Sequence, residues 1–309
     1  MVVRTTAAGC RIPRGWFKCC GVGLEDGDEH TDVYCGGVQR ISARNARFQV
    51  WQSYLTNRTK RQRAGEFLVQ GVRPISVAVD NGWPVRTVIT DASRPSSRWA
   101  QDLLHRLPGV ERVAMERDLL AELGEKDEAA PELIAVLELP PDGLDRIEVG
   151  PDFLGVVFDR PTGPGNIGSI IRSADAFGAD CVIVTGHAAD VYDPKAVRAT
   201  TGSLFAVPAV RVPSHREVIE WVRRSAVPIV VVGTDEHGSV DVFDFDFTQP
   251  ALVLIGNETN GLSTAWKEAA DQLVRIPITG SASSLNAANA ATAVLYEVSR
   301  QRSNSVRTR

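Results

Sequence analysis

The chain has 309 residues, enough for two domains with separate cores, and its 43% hydrophobic and 23% charged content is that of an ordinary globular protein. Its longest apolar stretches, such as Val227 to Val232, fall far short of the roughly 18 residues that a membrane-spanning helix needs. A net charge of -4 argues against indiscriminate nucleic-acid binding, so any contact with phosphates has to be local.

The first 20 residues carry no apolar run with a cleavage site, so the expected compartment is the cytoplasm and no membrane partner is expected. Residues 1 to about 40 lack sustained periodicity, are scattered with glycine from Gly9 to Gly37, and read as a disordered extension. Cys10, Cys19, Cys20 and Cys35 lie there without a CxxC pair, and His30 completes no recognised zinc spacing. An amphipathic helix is expected from Ile41, because Ile41, Phe48, Trp51 and Leu55 recur at helical spacing. Arg40, Arg44, Arg47, Arg58, Lys60, Arg61 and Arg63 run through this region with no acid among them. Two readings stand side by side: contacts for nucleic-acid phosphates, or a solvated helix face.

Alternation follows, with strands at Phe67–Val69, Val85–Ile89, Glu111–Ala114 and Leu133–Leu139, and helices near Pro74–Val79, Arg98–Leu107 and Arg117–Leu123. Residues 41–140 therefore read as a small α/β domain. Leu139-Pro140-Pro141-Asp142-Gly143 marks a break, residues 141–151 a linker, and residues 152–309 a second domain. Its strands, Phe153–Phe158, Cys181–Thr185, Pro228–Val232, Ala251–Ile255 and Leu273–Ile276, are nearly continuous Val, Ile and Leu. That is the pattern of a parallel sheet covered on both faces, and Cys181 reads as core within it.

Three polar segments follow apolar runs in this half: Asn166 to Arg172, Ile255 to Leu262, and Ile276-Pro277 running on to Ser284-Leu285-Asn286. Loops at the ends of parallel strands are where such sheets present ligands, and Asn, Arg, Glu and Ser can hold a polar substrate without a metal. Asn166 also suits an N-cap, with Ile167, Ile170, Ile171, Ala174 and Phe177 as the apolar stripe of the helix it would open. Arg172 interrupts that apolar pattern, and a half-buried Arg would need an anionic partner. Ser284 reads as the cap of a last helix from Leu285 to Arg300. Gly256 lets a backbone approach a ligand closely.

Residues 163–168 spell GxGxxG after a strand and before a helix, the dinucleotide fingerprint, so an NAD-dependent oxidoreductase is one alternative. The acid expected at the end of the next strand is missing: Val184-Thr185-Gly186-His187 stands there, and Asp190 arrives late. A non-catalytic ribosome-binding factor is a further alternative.

The order, spacing and apolar neighbours of the three segments resemble the motifs of the SpoU (TrmH) family of RNA ribose 2'-O-methyltransferases. Gly65-Glu66-Phe67-Leu68-Val69-Gln70-Gly71, with Arg61 before it, is similar to the L30e-like substrate-binding domain that precedes many of their catalytic domains. The resemblance implies a SPOUT α/β domain with a deep trefoil knot, a homodimer through that domain, and S-adenosylmethionine as methyl donor with no metal. It implies catalytic roles for Asn166, Arg172, Glu258, Ser284 and Asn286, and cofactor contacts at Gly256, Ile276 and Leu285. RNA contacts would fall to Arg172 and to Arg198 in Asp193–Gly202, besides Arg58, Lys60, Arg61 and Arg63. From about Arg40 onward the likeness implies 23S ribosomal RNA as partner, a uridine as target, and protection from a ribosome-targeting antibiotic. Ser281-Ala282-Ser283-Ser284 lacks the acid the family often has before the motif serine, and Thr259-Asn260 replaces smaller residues.

Overall fold

Two sheets account for the alternation. The computed structural model describes residues 33–35, 38–125 and 130–307. Of the extension expected over residues 1 to about 40, the first 32 residues, including Cys10, Cys19, Cys20 and His30, lie outside them, whereas Val33–Cys35 and Val38–Ile41 are strands.

The first sheet is built from β1 (Val33–Cys35), β2 (Val38–Ile41), α1 (Ala46–Thr56), α2 (Arg58–Ala64), β3 (Glu66–Gln70) and α3 (Val72–Asp80). It continues through β4 (Val85–Asp91), α4 (Arg98–Arg106), β5 (Glu111–Met115), α5 (Arg117–Leu123) and β6 (Leu133–Glu138). Strand order is β1-β2-β5-β4-β6-β3, parallel among β2, β5 and β4 and antiparallel elsewhere.

Ile41 does not start a helix: it ends β2, buried beside Met115. The helix begins at Ala46, where the Asn45 side chain accepts from Phe48 N and satisfies one of the free N–H groups of the first turn. Its buried side is Phe48, Trp51 and Tyr54, with Leu55 only partly covered. The preceding strand borrowed the apolar period, because a buried Ile fits either element.

The second half runs β7 (Leu154–Asp159), α6 (Pro164–Ala176), β8 (Cys181–Thr185), α7 (Pro194–Thr200), β9 (Ala209–Val212) and α8 (His215–Arg224). It goes on through β10 (Val230–Thr234), β11 (Val240–Asp241), β12 (Ala251–Ile255), α9 (Thr264–Ala269), β13 (Gln272–Arg275) and α10 (Ala287–Arg307). All seven strands are parallel, in the order β11-β13-β10-β12-β7-β8-β9. The chain moves outward from β7 through β8 to β9, then returns to the other side of β7. Carboxyl ends of strands at such a reversal make a crevice.

The two sheets share one apolar cluster. Phe67, Val69, Val88 and Leu137 of the first belong to the same buried group as Val156, Tyr192, Phe205 and Val253 of the second. Phe67 packs on Tyr192 with ring centroids 4.9 Å apart, and Trp83 Nε1 donates to the Phe205 carbonyl at 3.1 Å. Arg61 is 2% exposed and pairs with Asp190 at 2.7 Å, tying α2 to the loop after β8.

That ion pair removes Arg61 from the surface residues expected to meet RNA: its guanidinium is enclosed, and its charge is spent on Asp190. The apparent absence of acids in the basic stretch is likewise local to the sequence. Arg40, Arg44 and Arg47 pair with Glu116, Glu122 and Glu111, some seventy positions away. Lys60 and Arg63 are exposed and make no ion pair among the described residues, while Arg58 is half-buried and donates to the Ala188 carbonyl. Among the described residues, no helix is long and apolar enough to cross a membrane.

Candidate active site

The loops after β7, β10, β12 and β13 meet at the crevice. Glu258, just past β12, is the hub. Its Oε2 accepts from Thr162 N and Thr162 Oγ1, both at 3.1 Å, and its Oε1 accepts from Gly163 N and Asn166 Nδ2, also at 3.1 Å. Asn286 Nδ2 then donates to Asn166 Oδ1 at 3.2 Å, so one residue from each of the three segments joins a single chain of hydrogen bonds.

This geometry corrects two expectations. Asn166 is not a cap: α6 starts at Pro164 with Gly163 before it, and the Asn166 side chain serves Glu258 and Asn286 instead. The last helix starts at Ala287, and Asn286 rather than Ser284 caps it, its Oδ1 accepting from Ala288 N at 2.9 Å and Asn289 N at 3.4 Å. Ser284 stays exposed on the preceding loop.

The carboxylate of Glu258 also disposes of the dinucleotide reading. Backbone N–H groups of Thr162 and Gly163, which would have to cradle a pyrophosphate, already bind an anion. Two of the three glycines have a local reason, while Gly165 has open space where a Cβ would go. A Cβ on Gly163 would come within 3.3 Å of Glu258 Oε1, and one on Gly168 would stand 2.4 Å from the Ala196 carbonyl of α7. Asp190, the late acid, is the partner of Arg61.

Gly256 is required for a different reason from the one expected. A Cβ there would lie 2.4 Å from Gly261 C and Leu262 N, so it is the protein's own chain that passes close. Asn257 closes this loop, its Oδ1 accepting from Thr259 N and Asn260 N while its Nδ2 donates to the Arg160 carbonyl at 2.6 Å. Asp159, buried at the end of β7, receives Ser263 N at 2.9 Å from the far side of the loop.

Beside the hub lies a cavity of about 320 Å³. Gly256, Glu258, Ile276, Ser284 and Leu285 all line it, which brings the three expected cofactor contacts together. The sequence reading missed Thr234, Asp235, Glu236 and Lys267 on its opposite wall. The signal was present: polar residues at the carboxyl end of a strand, had that strand been carried on to Thr234 instead of stopping at Val232. Lys267 Nζ lies 2.6 Å from Asp235 Oδ2. Burial pushes the Asp235 carboxyl up, but Lys267 and the His237 backbone N–H outweigh it and hold it below the usual range.

Three carboxylates, Asp235, Glu236 and Glu258, line this cavity with one ammonium, that of Lys267. The balance suits a ligand with net positive charge, with Ile255, Ile276, Ile278 and Leu285 as its apolar wall. S-adenosylmethionine fits both requirements, since its sulfonium and amino group outnumber its carboxylate. Among the described residues no group of three His, Cys, Asp or Glu could hold a metal ion.

Two expected residues lie apart from the cavity. Arg172 sits farther along α6, exposed rather than half-buried, with no ion pair or hydrogen bond among the described residues and no place in the cavity wall. Arg198, in the last turn of α7, pairs with Glu125 at 2.6 Å.

Glu258 carries a pH signature. Burial pushes its carboxyl up, while hydrogen bonds from Asn166, from its own backbone and from Thr162 and Gly163 pull harder and leave it below the usual range. A folded-state value below the unfolded one contributes stability at pH above the unfolded value, lost as pH falls through the folded value. Acid melting of the wild type should therefore show a loss that Glu258→Gln lacks, with the variant about 1 kcal/mol less stable at neutral pH because the exposed and part-buried donors on one of the two oxygens lose their acceptor. Parallel pH–stability curves for the two proteins would remove Glu258 from this role.

Comparison with known proteins agrees with this geometry. Residues 154–296 match the SpoU rRNA Methylase family, and residues 45–135 match the SpoU L30e-like domain. A 23S rRNA (uridine(2479)-2'-O)-methyltransferase of Streptomyces viridochromogenes is 68% identical over 268 residues, 86% of this chain and 93% of that protein. The crystal structure of the SpoU methyltransferase AviRb from the same organism, in complex with AdoMet, superposes with a TM-score of 0.80 at 68% identity, covering 84% of this chain and 98% of that one. An AdoMet-bound rRNA methyltransferase from Sinorhizobium meliloti gives a TM-score of 0.77 at 30% identity, covering 86% and 98%.

Proposed function

On the premise that this chain belongs to the SpoU rRNA methylase family, we propose that it transfers a methyl group from S-adenosylmethionine to the ribose 2'-hydroxyl of a uridine in 23S rRNA. The observation that carries the proposal is the acid-rich cavity walled by Gly256, Glu258, Ile276 and Leu285, on a fold shared with AdoMet-bound relatives. Cytoplasmic action on ribosomal RNA, with protection from a ribosome-targeting antibiotic, follows the same likeness. The domains proposed are an L30e-like substrate domain over residues 41–140 and a catalytic domain over 152–309, joined by residues 141–151.

The cofactor supplies, when bound, a methyl group made electrophilic by its sulfonium. Gly256, Ile276 and Leu285 hold it largely through backbone groups, and Glu258 fixes Asn166, which in turn orients Asn286. Ser284 lines the same opening and is assigned to the ribose. Arg172 stabilises the 2'-oxygen as it becomes an alkoxide; a guanidinium keeps its own protons, so the hydroxyl proton passes to phosphate or solvent.

Arg172 stands outside the cavity of its own chain, so it is assigned to the cavity of a second copy. A homodimer through the catalytic half, knotted as in the family, would bring it there. Tyr296, 60% exposed on α10, and Phe243, 53% exposed, are apolar surface in that half for such a contact.

The defining experiment is incubation of total RNA with labelled S-adenosylmethionine, followed by mapping of the 2'-O-methyl group. A label on 23S rRNA at a uridine is expected; label on base nitrogen or carbon, or on transfer RNA alone, would sink the proposal.

RNA contacts are assigned to Lys60, Arg63, Arg58 and Arg198. Replacing Lys60 and Arg63 with Gln should weaken RNA binding and flatten the plot of log K against log salt by about 1.4, at roughly 0.7 per single-strand phosphate. Cofactor affinity should not change. An unaltered slope would return both residues to ordinary solvated charge.

A further inference from the structure

A second cavity, of about 280 Å³, opens where α2, the residues after β6 and the loop after β8 meet. Arg58, Gln62, Asp142, Asp190, Tyr192 and Arg211 line it. It shares no lining residue with the crevice that holds Glu258, and of its polar lining only Arg58 has been assigned a role, as an RNA contact.

Two of its polar atoms are buried and meet no hydrogen-bond partner of full geometry among the described residues. Tyr192 is 8% exposed, and its Oη has no partner of full hydrogen-bond geometry among the described residues; the Arg146 guanidinium lies close to it but gives its hydrogen bonds to the carbonyls of Pro141 and Ala209. Arg211 Nε is likewise buried, with no partner among the described residues. A buried hydroxyl or guanidinium N–H left unsatisfied costs free energy that a bound group would recover.

The carboxylates in the wall are already engaged. Asp190 Oδ2 accepts from Arg61 Nε and Nη2 and its Oδ1 from the backbone N–H of Tyr192, while Asp142 Oδ1 accepts from Arg211 N. Three guanidiniums, Arg58, Arg61 and Arg211, stand against two carboxylates, which leaves one positive charge. Arg58 is half-buried, and among the described residues its guanidinium has one acceptor, the Ala188 carbonyl. The free groups are therefore donors on a net positive wall, arriving from α2 on one side and from β8, β9 and their loops on the other. Donors converging from separate elements suit an anion with several acceptor oxygens.

We propose that this junction cavity binds a phosphate group, bridged between Arg58 of the first half and Tyr192 and Arg211 of the second. The phosphate has two sources with the same chemistry: a phosphodiester of bound RNA, or free inorganic phosphate. The proposal stands on the cavity and not on the methylation reading, although the first source would deepen it.

The test is calorimetry on the full chain with two probes, inorganic phosphate and a short single-stranded oligoribonucleotide. Wild type is compared with Arg58→Gln, Arg211→Gln and Tyr192→Phe, each first checked for an unchanged circular-dichroism melt. At least one probe should bind saturably, with affinity at least about tenfold lower in the two arginine variants and a few-fold lower in Tyr192→Phe, which removes a single hydroxyl. If phosphate competes with the oligonucleotide at this site, the source is RNA; if phosphate binding is lost in the variants while oligonucleotide affinity holds, the source is the free anion. Binding of neither probe, or binding that all three variants retain, overturns the site. Methyl transfer is read in a separate assay, so inactivity there would leave the phosphate result standing.

Discussion

Arg172→Ala should lower methyl transfer by at least about a hundredfold, the usual cost of removing a donor aimed at developing oxyanion charge, while S-adenosylmethionine affinity stays within twofold. The asymmetry follows from the role assigned: Arg172 is exposed on α6, lines no part of its own chain's cavity, and is placed at the ribose oxygen and not at the cofactor. Calorimetry with the cofactor beside a single-turnover methylation assay separates the two effects. The same variant tests the second-copy arrangement. Mixed with Glu258→Ala chains under conditions that exchange subunits, it should regain about a quarter of wild-type activity, because random pairing makes half the dimers mixed and each of these has one intact site. Undiminished turnover would remove Arg172 from the mechanism. A mixture as inactive as its components would place it in its own chain's site.

Asp190→Asn should cost about 3–5 kcal/mol of unfolding free energy, the range for stripping one partner from a buried ion pair. Arg61 is 2% exposed and Asp190 11%, so the remaining guanidinium would keep its burial and lose its counter-charge. Arg61 also donates to the Tyr54 carbonyl, which fixes the guanidinium against the end of α1 and leaves it no route to solvent. The double change Arg61→Met with Asp190→Leu should be far milder, since it removes both charges together. Denaturant unfolding at one protein concentration measures both. A loss below about 1 kcal/mol for the single change would class the pair with exposed ones.

Strand positions in the second half were legible because burial on both faces leaves an apolar run that needs no partner to be read. The three loop segments were legible for a similar reason: each follows such a run. What sequence could not disclose was pairing across distance. Asn166 has the composition of a cap, and only Glu258, 92 positions later, shows where its side chain goes. Arg61 reads as one more surface cation until Asp190 stands opposite it. Gly256 reads as room for a ligand, yet the atoms it makes room for are those of Gly261 and Leu262. Ile41 shows the converse error, in which a periodic match spanned two elements that happen to bury the same side.

The apolar cluster common to both sheets bears on how RNA could be chosen. A close-packed interior resists bending, and no flexible tether separates Lys60 and Arg63 from the crevice that holds Glu258. The span between the basic helix and the methylation cleft is then set by the core itself, and the molecule behaves as a caliper with fixed jaws. An RNA whose folded outline places a phosphate and a ribose at that separation would engage both; one that does not would have to deform at its own expense.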